Sequence, residues 1–348
     1  MSKSLSKRLF SNTVLLVFSL FFAYVVFESF FRLSKNIPLK GTVVTEEDGT
    51  GRIQTFRRSK NDTLLYEPIP GVVSKYKGVE NRINSFGMRD KERSLKKRDG
   101  VIRIAVLGDS VTWGFGVEVE DAFPRKLEVE LNKSSNKEFE VLNFSVPGYD
   151  AVQELELYRT KVQQFDPDLV IIAYVLNDFQ GSSWEAPLFI GTYLSIFGKS
   201  YAFEHLSKSI ERYFSGYTDR KNKIESSKIS NIFSRFKDEI AANQPTAIVL
   251  FPYLVDDHWY SYDYERVKAL AKWVKIPLLD LRKTFELHSQ LSLRLPQEPH
   301  DELHPGPTGH QLAAETVRDF LYQSDFFGLS SLIQPTESFT ASAIIESN

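Results

Sequence analysis

A serine stands directly after a strongly apolar segment of this sequence, in "IRIAVLGDSVTWGFG" (Ile102–Gly116). A serine hydroxyl is too weak an acid to attack an ester unaided, so it needs a neighbouring base. Histidine suits that task because its pKa lies near working pH. Near the C-terminus, "HDELHPGPTGH" places Asp301 three residues before His304, where a carboxylate could fix the imidazole tautomer. Ser110, His304 and Asp301 together indicate acyl-transfer chemistry.

Such chemistry also needs hydrogen-bond donors for the oxyanion of the tetrahedral intermediate. The sequence offers the backbone N–H groups of Ser110 and Gly148, the latter in "NFSVPGYD", and the side-chain amide of Asn177 in "VLND". Losing one such donor typically costs ~3 kcal/mol of transition-state stabilisation. We therefore expect these three residues to surround one reacting oxygen.

The elements that must position these residues are strands alternating with helical patterns. Five β-type segments are visible: Ile102–Leu107, Phe139–Ser145, Asp168–Leu176, Thr246–Tyr253 and Ile276–Leu281. Their alternation with helices predicts an α/β fold, a three-layer α/β/α arrangement around a five-stranded parallel sheet. Ligands of such sheets bind beyond the carboxyl ends of the strands. The candidate residues follow the first, second, third and fifth segments, so we expect them at one edge.

These motifs resemble those of the SGNH hydrolases, also called the GDSL esterase/lipase superfamily. The matching blocks are "GDSVTWG", the segment with Gly148, "ND" at Asn177 and "DELHP", over roughly residues 101–325. The resemblance implies a flavodoxin-like fold with Ser110 as nucleophile and Asp301 and His304 completing the triad. It also implies an oxyanion hole of Ser110, Gly148 and Asn177, and it implies no cofactor or metal.

Two positions depart from the family pattern. Val175 stands where glycine is common before the Asn-Asp pair, and "GDSV" replaces "GDSL". The first concerns local backbone shape and the second concerns packing, so neither removes a reacting group. The segments "YEPIPG" and "INSFGMRD" also resemble the region that precedes this domain in membrane-anchored bacterial members.

Each candidate also has an ordinary structural interpretation. Gly-Asp-Ser is a common turn, Asn177 could form an Asx turn, and His300 and His310 lie close enough to His304 to be mistaken for it. We expect Asp109 to hold the turn, since its adjacency to the serine aims it poorly as a triad acid. "GFG" after the serine lacks the third glycine of a dinucleotide motif. "GDSVT" lacks the last glycine of the α/β-hydrolase nucleophile elbow.

The N-terminus predicts a membrane anchor. Lys3, Lys7 and Arg8 precede an apolar run, and residues 9–31 have the ~20 residues that a membrane-crossing helix needs. The run ends in bulky and charged residues, which favours a retained anchor over a cleaved signal peptide. We expect a single-pass membrane protein with its catalytic domain outside the cytoplasm, on the periplasmic side or at the cell surface of a bacterium.

The rest of the chain divides into segments of different composition. We expect an anchor over 1–35, a stalk with short packed elements over 36–100, the hydrolase domain over 101–327, and a disordered tail over 328–348. Residues 179–243 form an aromatic-rich insertion, too long for a simple connection. It could pack over the sheet edge or form a lid above the serine.

Composition excludes some functions and leaves others open. The absence of cysteine excludes disulfides and thiolate catalysis, and a net charge of -2 gives no general affinity for nucleic acid. We expect a serine esterase acting on acyl esters, such as O-acetyl groups on a glycan or lipid. The alternatives are an acyltransferase acting on a surface polysaccharide and a non-catalytic glycan-binding or scaffolding protein. An FMN-binding flavodoxin fits less well.

Overall fold

The computed structural model describes residues 12–13, 15–16, 18–26, 55–76, 78–179, 228–255, 261–325 and 328. Nine strands lie in these residues, in three sheets. Two antiparallel hairpins come first, β1 (Phe56–Arg58) with β2 (Tyr66–Pro68) and β3 (Val73–Tyr76) with β4 (Val79–Arg82). The third sheet contains β5 (Val101–Gly108), β6 (Glu138–Asn143), β7 (Leu169–Tyr174), β8 (Thr246–Leu250) and β9 (Leu278–Asp280).

The third sheet confirms the predicted five parallel strands. Its order is β6-β5-β7-β8-β9, and every neighbouring pair is parallel. This is the 2-1-3-4-5 order of flavodoxin-like folds, in which the strand order reverses beside the first strand. β7 and β8 end earlier than their apolar runs do. Residues after Tyr174 turn into a short 3-10 segment, and Pro252 has no N–H to continue the ladder of β8.

Seven α-helices connect and cover the strands. They are α1 (Ser110–Trp113), α2 (Phe123–Ser134), α3 (Ala151–Thr160), α4 (Ser261–Val274), α5 (Arg282–Glu286), α6 (Gln290–Leu293) and α7 (Pro307–Gln323). Short 3-10 turns cover Val119–Asp121, Val162–Phe165 and Leu176–Phe179, and a helix over 228–241 ends in a π-helical segment, Phe236–Ala241.

Helices cover both faces of the sheet, which gives the three layers. One face packs Ile104, Val106 and Ile171 into a core with α2 and α7 residues such as Leu127 and Val317. Alternate side chains of a strand point to opposite faces. On the other face Tyr174 packs edge-on against Phe233 of the 228–241 helix, with ring centroids 5.6 Å apart. Strands buried on both sides explain the unbroken apolar runs of the sequence.

A buried ionic network joins the segment before β5 to the domain. Arg93 donates to both carboxylate oxygens of Asp90 at 2.9 Å, to Glu128 of α2 at 2.6 Å and to the carbonyl of Val141 in β6 at 2.7 Å. The side chains of Arg93, Asp90 and Glu128 are only 1–3% exposed. Charges buried this deeply are tolerated because each one meets an opposite charge.

The N-terminal helix is described only in part. Residues 12–26 are helical wherever they are described, and their large apolar side chains are 41–67% exposed. No helix among the described residues has both the length and the apolarity that crossing a membrane requires. Both ends of the predicted anchor over 9–31, residues 180–227 of the insertion, and nearly all of the tail over 328–348 lie outside the described residues. The anchor remains a prediction.

Replacing Arg93 by methionine should destabilise the fold by about 3–5 kcal/mol, because it leaves Asp90 and Glu128 as buried like charges. Urea unfolding followed by circular dichroism measures this change. The matched control is Arg82→Met, since Arg82 pairs with Glu80 at the surface and such pairs contribute at most about 1 kcal/mol. Equal losses in the two variants would contradict the analysis.

Candidate active site

The nucleophile candidate is placed by the end of β5. β5 ends at Gly108, and the side chain of Asp109 accepts a hydrogen bond from the backbone N–H of Val111 at 2.9 Å, which caps α1. Ser110 is therefore the first residue of α1, at the carboxyl edge of the sheet. Gly108 is required here because an added Cβ would overlap with the side chain of Thr112. Fully buried Asp109 holds the turn, as expected.

The structure brings Ser110, His304 and Asp301 into one hydrogen-bonded chain. Nε2 of His304 lies 2.9 Å from Oγ of Ser110, and Nδ1 of His304 lies 2.8 Å from Oδ2 of Asp301. An ionised carboxylate only accepts, so Nδ1 carries the proton and Nε2 is left as the acceptor for the serine proton. Asp109 also approaches Oγ, but at 3.4 Å, so the imidazole is the nearer base.

The loop that carries the histidine is organised by Asp301. Oδ1 of Asp301 accepts hydrogen bonds from the backbone N–H groups of Leu303 and His304, both at 3.0 Å. Burial alone would raise the pKa of Asp301, but the hydrogen bonds and the charge of His304, together with these two amides, outweigh it. The pKa of Asp301 is therefore held well below its usual range, and the carboxylate stays charged beneath the imidazole.

A phenylalanine beside the imidazole was missed by the sequence analysis. Phe115 lies against His304 with ring centroids 4.6 Å apart and the planes tilted by 34°. Its backbone N–H donates to the carbonyl of Ser110 at 3.1 Å. Gly114 and Gly116 flank it with φ of 80° and 83°, conformations that favour glycine. The "GFG" motif therefore shapes the loop that packs Phe115 on the histidine, and the glycine pair was its signal.

The turn that contains Gly148 is brought beside Ser110 by continued pairing along β5. After β6 ends, the N–H of Phe144 donates to the carbonyl of Val106 at 2.9 Å, and the N–H of Val146 donates to that of Gly108 at 3.1 Å. Tyr149 then donates its N–H to the carbonyl of Val146 at 3.1 Å, closing a four-residue turn. Gly148 has φ of 79° in this turn. The turn therefore lies on the β6 side of the serine.

Asn177 lies on the opposite side, in the 3-10 segment Leu176–Phe179 directly after β7. Its side chain is outside the described part of the structure, so its predicted role as an amide donor remains a prediction. Asp178 shapes this segment, because its Oδ2 accepts from the N–H of Val175 at 2.7 Å while its own N–H donates to the carbonyl of Val175 at 3.0 Å. Val175 fits without strain as a fully packed residue, 1% exposed.

The neighbouring histidines have other environments. His310 in α7 is fully buried and accepts a hydrogen bond from the N–H of Phe123 at 3.1 Å through Nδ1. Burial, with help from the nearby charges of Arg89, His304 and Lys126, lowers the pKa of His310 to about 3, so it stays neutral. His300 is exposed. His304 is therefore the histidine that meets the serine. Within the described ranges, no group of three or more His, Asp or Glu side chains could hold a metal ion.

Comparison with known proteins assigns the same region to one family. The model of the GDSL-like Lipase/Acylhydrolase family matches residues 106–312. No curated protein sequence matches the chain.

Three of the similar solved structures illustrate the range. TesA has 15% identity, with 63% of this chain and 97% of that chain covered and a TM-score of 0.40. A two-domain esterase active on acetylated mannans has 15% identity, coverage of 68% and 51%, and a TM-score of 0.42. A catalytic mutant of an acetylxylan esterase from Geobacillus stearothermophilus has 15% identity, coverage of 65% and 94%, and a TM-score of 0.39.

The pH dependence of acyl transfer should show one ionisation on its acid side. Because the carboxyl of Asp301 stays ionised well below its ordinary pKa, only the imidazole loses activity on protonation between pH 8 and pH 4. A plot of log kcat/KM against pH should therefore have a limiting slope of about one, as a single titrating group gives. A slope approaching two would show that Asp301 also titrates and would contradict this account.

Proposed function

Because the chain belongs to the GDSL-like lipase/acylhydrolase family, whose members hydrolyse esters, we propose that it is a serine esterase in which Ser110, His304 and Asp301 form the triad. The observation that carries the proposal is the unbroken chain of hydrogen bonds, 2.9 Å from serine to imidazole and 2.8 Å from imidazole to carboxylate.

The geometry accounts for both halves of the reaction. Oγ of Ser110 attacks the ester carbonyl carbon while Nε2 of His304 takes the serine proton, and the carboxylate of Asp301 stabilises the imidazolium. The carbon–oxygen bond to the alcohol then breaks, and His304 gives its proton to the departing oxygen. Water attacks the acyl-serine with His304 again as base, which releases the acid and restores the hydroxyl.

The proposed oxyanion hole combines donors from three strand ends. The N–H of Ser110 comes from the end of β5, the N–H of Gly148 from the turn after β6, and the amide of Asn177 from the segment after β7. Because β6 and β7 flank β5, the carbonyl oxygen would lie between the two neighbouring turns. Donors fixed by the backbone need little reorganisation as negative charge develops on that oxygen.

We further propose that the acyl group is small, such as an O-acetyl group on a glycan or lipid of the cell envelope. The support is the predicted membrane anchor, which would place the enzyme beside such polymers. Acetate release from acetylated xylan and mannan, followed by mass spectrometry, tests this substrate class. Running the reaction with and without a deacetylated oligosaccharide distinguishes release of acetate to water from transfer to a sugar hydroxyl.

Removing any member of the triad should nearly abolish turnover of p-nitrophenyl acetate by the full chain in detergent. Ser110→Ala, His304→Ala and Asp301→Asn should each lower kcat by on the order of 10⁴-fold, because the three groups act as a unit. Combining two substitutions should add little to the loss. The control is His288→Ala at an exposed histidine, which should retain full activity. Equal turnover by the wild type and Ser110→Ala would refute the mechanism.

Deleting residues 1–35 should release the protein from membranes without loss of esterase activity. The segment over 9–31 has the length and apolarity of a single-pass anchor, and its described residues are helical with exposed apolar side chains. Fractionation of cells expressing both forms, with a carbonate wash, measures the change. Recovery of the intact chain in the washed supernatant would contradict the anchor. Digestion by protease added to spheroplasts tests whether the catalytic domain is outside the cytoplasm.

A further inference from the structure

We propose that Tyr66, in the β1–β2 hairpin, is a positioning residue that holds the Gly148 amide of the oxyanion hole in its working orientation. The inference rests on the proposed function, since it assigns a role within the same site. It concerns a hydroxyl that contacts the peptide on which the donor sits.

The contact is direct and buried. The hydroxyl of Tyr66 donates a hydrogen bond to the carbonyl of Pro147 at 2.6 Å, and the side chain is 1% exposed. The carbonyl of Pro147 and the N–H of Gly148 belong to the same peptide group. Because that group is planar and trans, its C=O and N–H point in opposite directions. Holding the carbonyl toward Tyr66 therefore directs the Gly148 N–H away from it.

The turn itself has two possible orientations of this peptide. Val146 to Tyr149 form a β-turn with Pro147 and Gly148 at its centre, and a φ of 79° at Gly148 identifies it as type II. A type I turn over the same four residues would place the central peptide the other way round, and proline and glycine can both adopt it. The bond from Tyr66 accepts only the type II orientation, so it selects the direction of the Gly148 N–H.

Tyr66 is itself fixed from several sides. The hydroxyl of Tyr149 donates to the backbone carbonyl of Tyr66, and the two rings pack edge to face with centroids 5.2 Å apart. Phe56 packs against Tyr66 at 6.0 Å and against Trp113 of the nucleophile helix at 5.6 Å. The hairpin therefore contacts the residues on both sides of Gly148 and also the helix that begins with Ser110.

The hydroxyl remains a donor throughout the working range. Burial, reinforced by Tyr149, Asp109 and Asp150, raises the pKa of Tyr66 far above its ordinary value. Tyr66 also lies outside residues 106–312, which the family model matches, so the family motifs do not include it. The geometry adds a residue of the preceding segment to the catalytic machinery.

Tyr66→Phe in the full chain removes this hydroxyl and keeps the ring. Because the oxyanion exists only in the transition state, kcat for p-nitrophenyl acetate should fall about tenfold while KM stays within about twofold. The inhibition constant of a short alkylboronic acid, which forms a tetrahedral anion on the serine, should rise by the same factor as kcat/KM falls. The matched control is Tyr158→Phe, at a buried tyrosine whose hydroxyl accepts a hydrogen bond from Gln244 at 2.7 Å, in α3.

The outcomes separate the two levels of the argument. Unchanged kcat and boronate affinity in Tyr66→Phe, or losses equal to those of Tyr158→Phe, would overturn the role of Tyr66 while leaving the esterase intact. Turnover of Ser110→Ala equal to that of the wild type would overturn the esterase and this inference with it. If Tyr66→Phe fails to fold, Tyr149→Phe serves instead. It should lower kcat about threefold with KM unchanged, and an unchanged kcat would count against the proposal.

Discussion

The position of β5 between β6 and β7 is the constraint on which the site depends. β5 pairs in parallel with both neighbours, and its residues from Ile104 to Leu107 are fully buried, so its end is fixed to within a hydrogen bond. Residues that follow three adjacent parallel strands must emerge at one edge. Ser110 is therefore flanked by the Gly148 turn on one side and the Asn177 segment on the other. The remaining requirement is a loop that returns to this edge, and residues 301–304 provide it.

Burial then decides which carboxyl group near the serine can act as the triad acid. Burial raises the pKa of Glu154 and of Asp178 well above their ordinary values, and the neighbouring acidic groups raise them further. Asp109 is committed to capping α1. Asp301 differs because three hydrogen-bond donors, two amides and the imidazole, meet its two oxygens. Only Asp301 combines contact with His304 and a depressed pKa, so the hydrogen bonds of its loop assign the role.

The sequence predicts features that short-range chemistry controls and misses those that depend on distant packing. The five strands, the capping role of Asp109 and the Asp301–His304 pair follow from apolar runs and local spacing. The end of β7 was predicted two residues late, because Asp178 captures the N–H of Val175 and turns the chain. Phe115 was read only as part of a failed dinucleotide motif, since its partner His304 lies far along the chain. Tyr66 lies in a segment interpreted as a stalk, where no motif announces a contact with Pro147.

The segment before β5 therefore belongs to the catalytic unit in a physical sense. Arg89 is 1% exposed, and its guanidinium donates to the carbonyls of Trp113 at 2.9 Å, Gly114 at 3.1 Å and Val117 at 2.5 Å. These bonds place a positive charge at the carbonyl end of α1 and hold the loop that presses Phe115 on His304. Tyr66 holds the Gly148 turn in the same way. One side of the site aligns the base and the other aligns a donor to the oxyanion, and both supports come from residues 55–100. A chain reduced to the family-matched residues would keep every reacting group and lose the contacts that orient two of them.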